Sequence, residues 1–406
     1  MGERYTGRAL IVLSAGAFVV LLAFGIRSSF GLFLQPMSLE FGWGREVFAF
    51  ALALQNLLWG AAQPFAGAIA DRYGSARTLA AGATLYVLGL VWMSEASTPL
   101  ALNLSAGVLI GIGLAGAGQG VVFAAVGRSV PPARRSAALG IVTAVGSLGQ
   151  FLMPPIGLAL LAAYGWSTAL LLLAGCSALM LLAAGAVRMP AEDGTGGPRQ
   201  SFGEALTEAR HHRGYVLLTL GFFVCGWHVA FIAVHLPAYL ADGGLSTATA
   251  AWSLALIGLF NVIGSYASGV LGGRFSKKDL LSLLYTARAL LILAFILLPL
   301  TAVSALVFSA LMGLLWLSTV PLTSGLVAQI FGPRYLGMLF GIVFFSHQVG
   351  SFLGVWLGGV LYDAYGTYQP IWWVSIVLGL IAALLHWPID ERAVARLRPE
   401  VAPDHA

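Results

Sequence analysis

Long apolar runs, each ended by a short polar or glycine-rich break, fill this 406-residue chain. About twenty apolar residues are enough to cross a bilayer as a helix. The pattern predicts helices near residues 9–36, 47–70, 76–96, 99–126, 136–163 and 165–187. Six more follow, near 215–241, 248–272, 279–301, 303–330, 335–362 and 368–388. Loops mostly under ten residues hold consecutive helices antiparallel. The expected fold is therefore an all-α polytopic membrane protein with twelve transmembrane helices. One longer polar break, containing Pro190, Glu192, Asp193, Gly194 and Pro198, divides the runs six and six. The expected organisation is an N-terminal six-helix bundle over 1–187, a linker over 188–213, a C-terminal six-helix bundle over 214–390 and a disordered tail over 391–406. Within the linker, the stretch from Phe202 to Arg210 reads as a short amphipathic helix lying on the membrane surface.

A hinge recurs at half-length. Gly67-Ala-Ile-Ala-Asp71-Arg72-Tyr-Gly74-Ser-Ala-Arg77 joins the second and third runs. Gly269-Val-Leu-Gly-Gly273-Arg274-Phe-Ser-Lys277-Lys278 joins the eighth and ninth, 202 residues later. Glycine supplies the turn geometry, and Arg or Lys beside a membrane helix holds that end in the cytoplasm. The repeat points to two pseudo-symmetric bundles about an axis along the membrane normal. The first copy resembles the G-x-x-x-D-R-x-G-x-x-R loop signature of the major facilitator superfamily of secondary transporters, at Gly67, Asp71, Arg72, Gly74 and Arg77. The second copy keeps Gly269 and Arg274 but has Gly273 where the acid would stand. The resemblance covers the whole chain and implies the major facilitator fold, transport by alternating access, and no enzyme activity. It also implies that the five matched residues form a cytoplasmic gate, with Asp71 capping the start of the eleventh helix when that side is shut. Otherwise Asp71 is a loop charge that aids topology.

Composition agrees with the runs: the chain is 59% hydrophobic and 9% charged, with mean hydropathy +0.89. That leaves too little polar surface for a water-soluble core. The net charge of +5 suits a nucleic-acid binder until the charges are placed. Of 21 Lys and Arg, 18 fall on one side of the expected membrane and only Arg45 on the other. By the positive-inside rule both termini are cytoplasmic. The expectation is a multi-pass protein of the cell membrane, monomeric, with the lipid bilayer rather than nucleic acid as its partner. Cys176 and Cys225 both lie in apolar runs, so no disulfide framework is implied. No cofactor or metal site is implied either, and no H-E-x-x-H, G-x-S-x-G or intramembrane carboxylate pair supports catalysis.

Polar groups inside an apolar span ask for a reason. Arg27 stands about 27 Å into the first helix at 1.5 Å per residue, beyond the midplane. It faces a cavity, pairs, or snorkels to the headgroups. A basic residue before Ser-x-x-x-Phe at this point resembles the monocarboxylate porter branch, in which it is implicated in binding the anion. That branch has an Asp and an Arg in the eighth helix where this chain has Asn261 and Ser265. Arg288, in the ninth helix, is open to a structural or a substrate role. All 16 Asp and Glu fall in loops, tails or helix ends, so titratable groups within the membrane reduce to histidines. His228 and His235 share a helix face seven residues apart, and His347 stands in the eleventh helix. Each is a proton carrier or a neutral, hydrogen-bonded packing residue. Asn56, Gln63, Gln119 and Gln150 line a polar path or pin helices together.

The leading expectation is a proton-coupled secondary transporter of a small organic anion, a monocarboxylate. Its substrate-binding residues are Arg27, Arg288, Asn56, Gln119 and His347, and its proton-coupling residues are His228, His235 and His347. The alternative is an efflux transporter of hydrophobic or drug-like compounds. Drug antiporters of the superfamily resemble one another in a fourth-helix arginine and a fifth-helix Gly-Pro pair. Here Gly116 and Gln150 hold those positions.

Overall fold

The computed structural model describes residues 6–130, 135–187, 202–332, 336–394 and 397. Each apolar run folds as one crossing, and three crossings are broken. The first splits into α1 (Gly7–Ser28) and α2 (Gly31–Phe41), followed by α3 (Arg45–Tyr73) and α4 (Ser75–Met93). The fourth contains α5 (Pro99–Leu102), a π-helical stretch at Asn103–Leu109, α6 (Ile110–Ala117) and α7 (Gln119–Ser129). Next, α8 (Arg135–Ala186) doubles back at Gly165, whose φ of 75° and ψ of 171° suit a residue without Cβ. After the short α9 (Phe202–His211) come α10 (Arg213–Asp242), α11 (Thr247–Gly272) and α12 (Lys277–Leu297). The tenth crossing splits into α13 (Ala302–Leu315) and α14 (Thr319–Phe331), and α15 (Leu336–Tyr365) and α16 (Gln369–His386) complete the chain.

Among the described residues, ten helical segments are long and apolar enough to span a membrane, and one of them, Ala138–Ala186, has 49 residues. That one crosses twice, and the 29 residues of α3 add the twelfth crossing. Packing follows the repeat. In the first half α1 packs on α8, α3 on α6, and α4 on α8; in the second, α10 packs on α15, α11 on α13, and α12 on α16. The halves meet along two seams that are symmetry mates, α3 with α15 and α11 with α8. Small residues set the closest approaches. A Cβ on Gly149 would stand 2.2 Å from the Leu21 carbonyl oxygen, and one on Gly350 would stand 2.0 Å from that of Phe223. These glycines occupy matching positions in the two bundles.

The two ends of the bundle differ. One, the basic face, carries Arg72, Arg77, Arg128, Arg274, Lys277 and Lys278; the far face carries Arg45, Glu46, Asp242 and Asp363. Near the far face α3 is enclosed, with Phe48, Ala49, Ala51, Leu52 and Ala53 all buried. Towards the basic face Pro64, Phe65, Ala68 and Ile69 are exposed. The seam is thus closed at the far face and open towards the basic one.

The expected amphipathic linker helix is α9, which packs Ala209 against the cluster of Tyr215 and Phe331. Residues 188–201, the rest of the expected linker, lie outside the described residues. The tail departs from its expected disorder at its start. Glu391 accepts from the Lys278 backbone N–H at 2.6 Å, and the Val394 N–H donates to the Ile330 carbonyl at 3.0 Å. A carboxylate at the first turn of α12 satisfies otherwise orphaned N–H groups, which is why these residues dock.

Candidate functional site

Arg27 lies in the last turn of α1, where the carbonyl end of a helix favours a cation. At that end the Ser28 hydroxyl donates to the Gly25 carbonyl at 2.6 Å. Its guanidinium donates through Nη2 to the Asn56 side-chain oxygen and sits 5.3 Å from the centre of the Trp59 ring. Asn56 is itself fixed by donating to the Leu52 carbonyl at 2.8 Å. Trp59 is held by a 3.1 Å bond from its indole N–H to Gln63, so Asn56, Trp59 and Gln63 form one face of α3 at helical spacing. Arg27 remains partly exposed although it does not snorkel, and its Nε is buried without a partner.

The other half contributes α15. The Phe344 ring meets Trp59 at 5.6 Å and stacks on His347 at 5.6 Å and 10°. His347 Nδ1 lies 3.2 Å from the side-chain oxygen of Gln348. Gln119 opens α7 after the extended Gly118 and donates to Thr143 at 3.4 Å. A Cβ on Gly118 would stand 2.2 Å from the Leu114 carbonyl oxygen and in ordinary contact, 3.5 Å, with the Trp59 indole nitrogen, so the break in the fourth crossing lies beside Trp59. The structure therefore brings Arg27, Asn56 and His347 to one seam through Trp59 and Phe344, whereas Gln119 bonds within the first bundle to Thr143 of α8. Trp59, Phe344 and Gln348 are members that sequence reasoning missed.

Arg288 stands elsewhere. It is fully buried and donates to the carbonyls of Leu315 and Trp316, where α13 ends. The Leu317 N–H at the same break donates to Asn261 at 3.1 Å, and Asn261 donates across the seam to Ser147 at 3.1 Å. These two side chains supply the hydrogen bonds that the broken tenth crossing lacks. His228 is sealed in the second bundle, donating to the Ser375 carbonyl at 2.8 Å. His235 donates to the Val355 carbonyl at 2.8 Å and lies 3.1 Å from the Tyr368 hydroxyl.

That hydroxyl belongs to a clamp across the far face. Arg45 donates to both carboxylate oxygens of Asp242 at 2.7 Å and to Tyr368 at 3.0 Å. Its guanidinium lies 3.8 Å from the centre of the Tyr362 ring. Asp363 accepts from the backbone N–H groups of Arg45 and Glu46 at 2.9 and 2.8 Å, capping α3 from the end of α15. At the basic face, Gly74 ends α3 with φ of 91°, and Arg72 and Arg77 are exposed. Gly67 has open space where a Cβ would stand. The Asp71 side chain lies outside the described residues.

The profile of the Major Facilitator Superfamily matches residues 16–322, three quarters of a chain that already shows twelve crossings in two matched bundles. The chain belongs to the major facilitator superfamily. It is a membrane transporter, not an enzyme. Among its relatives, the "Uncharacterized MFS-type transporter YcxA" of Bacillus subtilis (strain 168) is 27% identical over 399 residues, covering 93% of this chain and 95% of that protein. Monocarboxylate transporter 13 of Rattus norvegicus is 28% identical over 375 residues, covering 88% of this chain and 83% of that one. Among solved structures, a bacterial homologue of the human lysosomal transporter Spinster, inward-facing and unoccupied, superposes with a TM-score of 0.78 at 17% identity, covering 95% and 97% of the two chains. The last shows a shared fold.

Proposed function

We propose that this superfamily member carries a small organic anion, a monocarboxylate, together with a proton, by alternating access. The observation that carries the reading is Arg27. It is a permanently charged group between the bundles, touched by solvent, with an amide and an indole as partners and no carboxylate bonded to it among the described residues. A guanidinium in that setting is stabilised by an arriving carboxylate, which it can grip with two parallel bonds. Of the two cations within the apolar spans, Arg288 is sealed and Arg27 is partly exposed, which suits a single carboxylate. The relative named as a monocarboxylate transporter supports the same substrate class.

On this reading the basic face is cytoplasmic, the protein sits in the cell membrane as a monomer with both termini inside, and the clamped state is inward-facing. His347 is the histidine best placed to exchange a proton with the seam, and His235 reports on the clamp through Tyr368. His228 packs the second bundle. Asp71, with Gly67, Arg72, Gly74 and Arg77, gates the cytoplasmic side. The rings of Trp59 and Phe344 favour efflux of hydrophobic compounds as a second reading, but such cargo has no use for a guanidinium in the seam. Uptake of labelled lactate, pyruvate and benzoate into proteoliposomes, with and without an inward proton gradient, tests the proposal. Gradient-stimulated uptake of at least one supports it; indifference to all three overturns it.

A further inference from the structure

Gln348 is fully buried, and its side chain is only half used. The oxygen faces His347 at 3.2 Å and accepts from the Ser351 hydroxyl at 3.4 Å, while Nε2 has no partner. A buried amide donor left unpaired is costly, and such groups are rare in folded proteins. Its place in the seam is informative. A Cβ on Gly60 would stand 2.6 Å from the Gln348 Cγ, so Gln348 reaches α3 only because residue 60 lacks a side chain. Gly60 follows Asn56 by four residues and therefore lies one helical turn from it on the same face, roughly 6 Å away. Asn56 is the residue that holds Arg27, and Arg27 also has a buried nitrogen, Nε, without a partner. Two orphaned donors, one from each bundle, thus approach the same turn of α3.

We propose that Gln348 is the second-bundle ligand of the transported carboxylate, which accepts from Arg27 in one bundle and from Gln348 Nε2 in the other. The two oxygens of one carboxylate, each accepting at about 2.9 Å, let a single ligand serve both donors. Cargo held this way ties the bundles together at the seam, and a ligand that bridges them stabilises the state in which they approach. A neutral compound offers no charge to either donor. The inference rests on the carboxylate reading above.

The test is equilibrium binding of labelled lactate, pyruvate and benzoate to purified protein, for wild type, Gln348→Leu, Gln348→Glu and Arg27→Ala, with folding checked by melting temperature. A lost hydrogen bond to a charged group corresponds to about a ten- to hundredfold weaker affinity. Gln348→Leu should weaken the tightest of the three by that factor. Gln348→Glu should weaken it further at pH 8 and recover in part at pH 5, where a protonated glutamic acid again donates. Wild-type affinity in a folded Gln348→Leu, with binding lost in Arg27→Ala, overturns the Gln348 contact and leaves the anion reading intact. Binding unchanged in both, or absent from wild type for all three probes, overturns the contact together with the carboxylate reading.

Discussion

Arg45→Met should release the far face. The substitution keeps most of the side-chain bulk and removes two bonds to Asp242 at 2.7 Å, one to Tyr368 at 3.0 Å, and a ring contact at 3.8 Å. Breaking a buried ion pair from one side costs roughly 3–5 kcal/mol. The Arg45 and Asp242 side chains are 11% and 29% exposed, so Asp242 regains part of its hydration, and about 2–3 kcal/mol is the better figure. The ring contact adds about 0.5–1 kcal/mol. All of this is lost only from the state with the far face closed. The equilibrium should therefore move towards far-side opening by on the order of 100-fold, at 1.4 kcal/mol per factor of ten. Spin labels at Leu39 and Val303, both exposed near the far face on opposite bundles (75% and 71%), report the change by double electron–electron resonance. Cys176 and Cys225 are replaced first. A new, longer distance population in Arg45→Met is the expected result. A distribution identical to that of the parent would show that Arg45 does not hold the far face shut.

Three further outcomes follow from the same geometry. Asp71→Asn, added to Arg45→Met, should move the same labels back towards the closed far face, and alone should slow turnover more than expression; distances unchanged from those of Arg45→Met would reduce Asp71 to a loop charge. His347→Asn should flatten the dependence of initial uptake rate on an inward proton gradient, whereas His228→Asn should lower the melting temperature and leave that dependence intact. A flat profile in His228→Asn alone would reverse the assignment. Arg288→Met leaves the Leu315 and Trp316 carbonyls unpaired and should lower stability by roughly 1–3 kcal/mol, read by thermal unfolding in detergent, with carboxylate affinity retained. Lost affinity at an unchanged melting temperature would place Arg288 in the site.

The course of the chain through the membrane is legible because apolar run length and loop length alone decide it. Even the fold-back within α8 falls at Gly165, beside the expected boundary between residues 163 and 165. The breaks in the first, fourth and tenth crossings fall at Ser28-Ser29, Gly118-Gln119 and Ser318-Thr319, and are not legible as breaks because small and polar residues of this kind also pack unbroken membrane helices. They depend on distant polar groups: Arg288 and Asn261 complete the tenth. Arg27 and Asn56 stand out as polar residues in apolar runs. Trp59 does not, because an aromatic ring in such a run also suits a lipid-facing position, although its spacing from Asn56 and Gln63 contained the signal. The far-face clamp joins residues 197 and 318 positions apart, and no local pattern relates a loop arginine to acids at remote helix ends. Its one trace was Arg45 as the lone cation on its side.

The central claim is that Arg27 receives the carboxylate. Its most direct test is the affinity of purified Arg27→Ala and Arg27→Lys for the labelled carboxylate that the wild type binds tightest. Losing one partner of a desolvated ion pair costs roughly 2–5 kcal/mol, so Arg27→Ala should bind at least about 30-fold more weakly. Lysine restores the charge without the planar fork, so Arg27→Lys should fall between the two. Wild-type affinity in a folded Arg27→Ala would contradict the account.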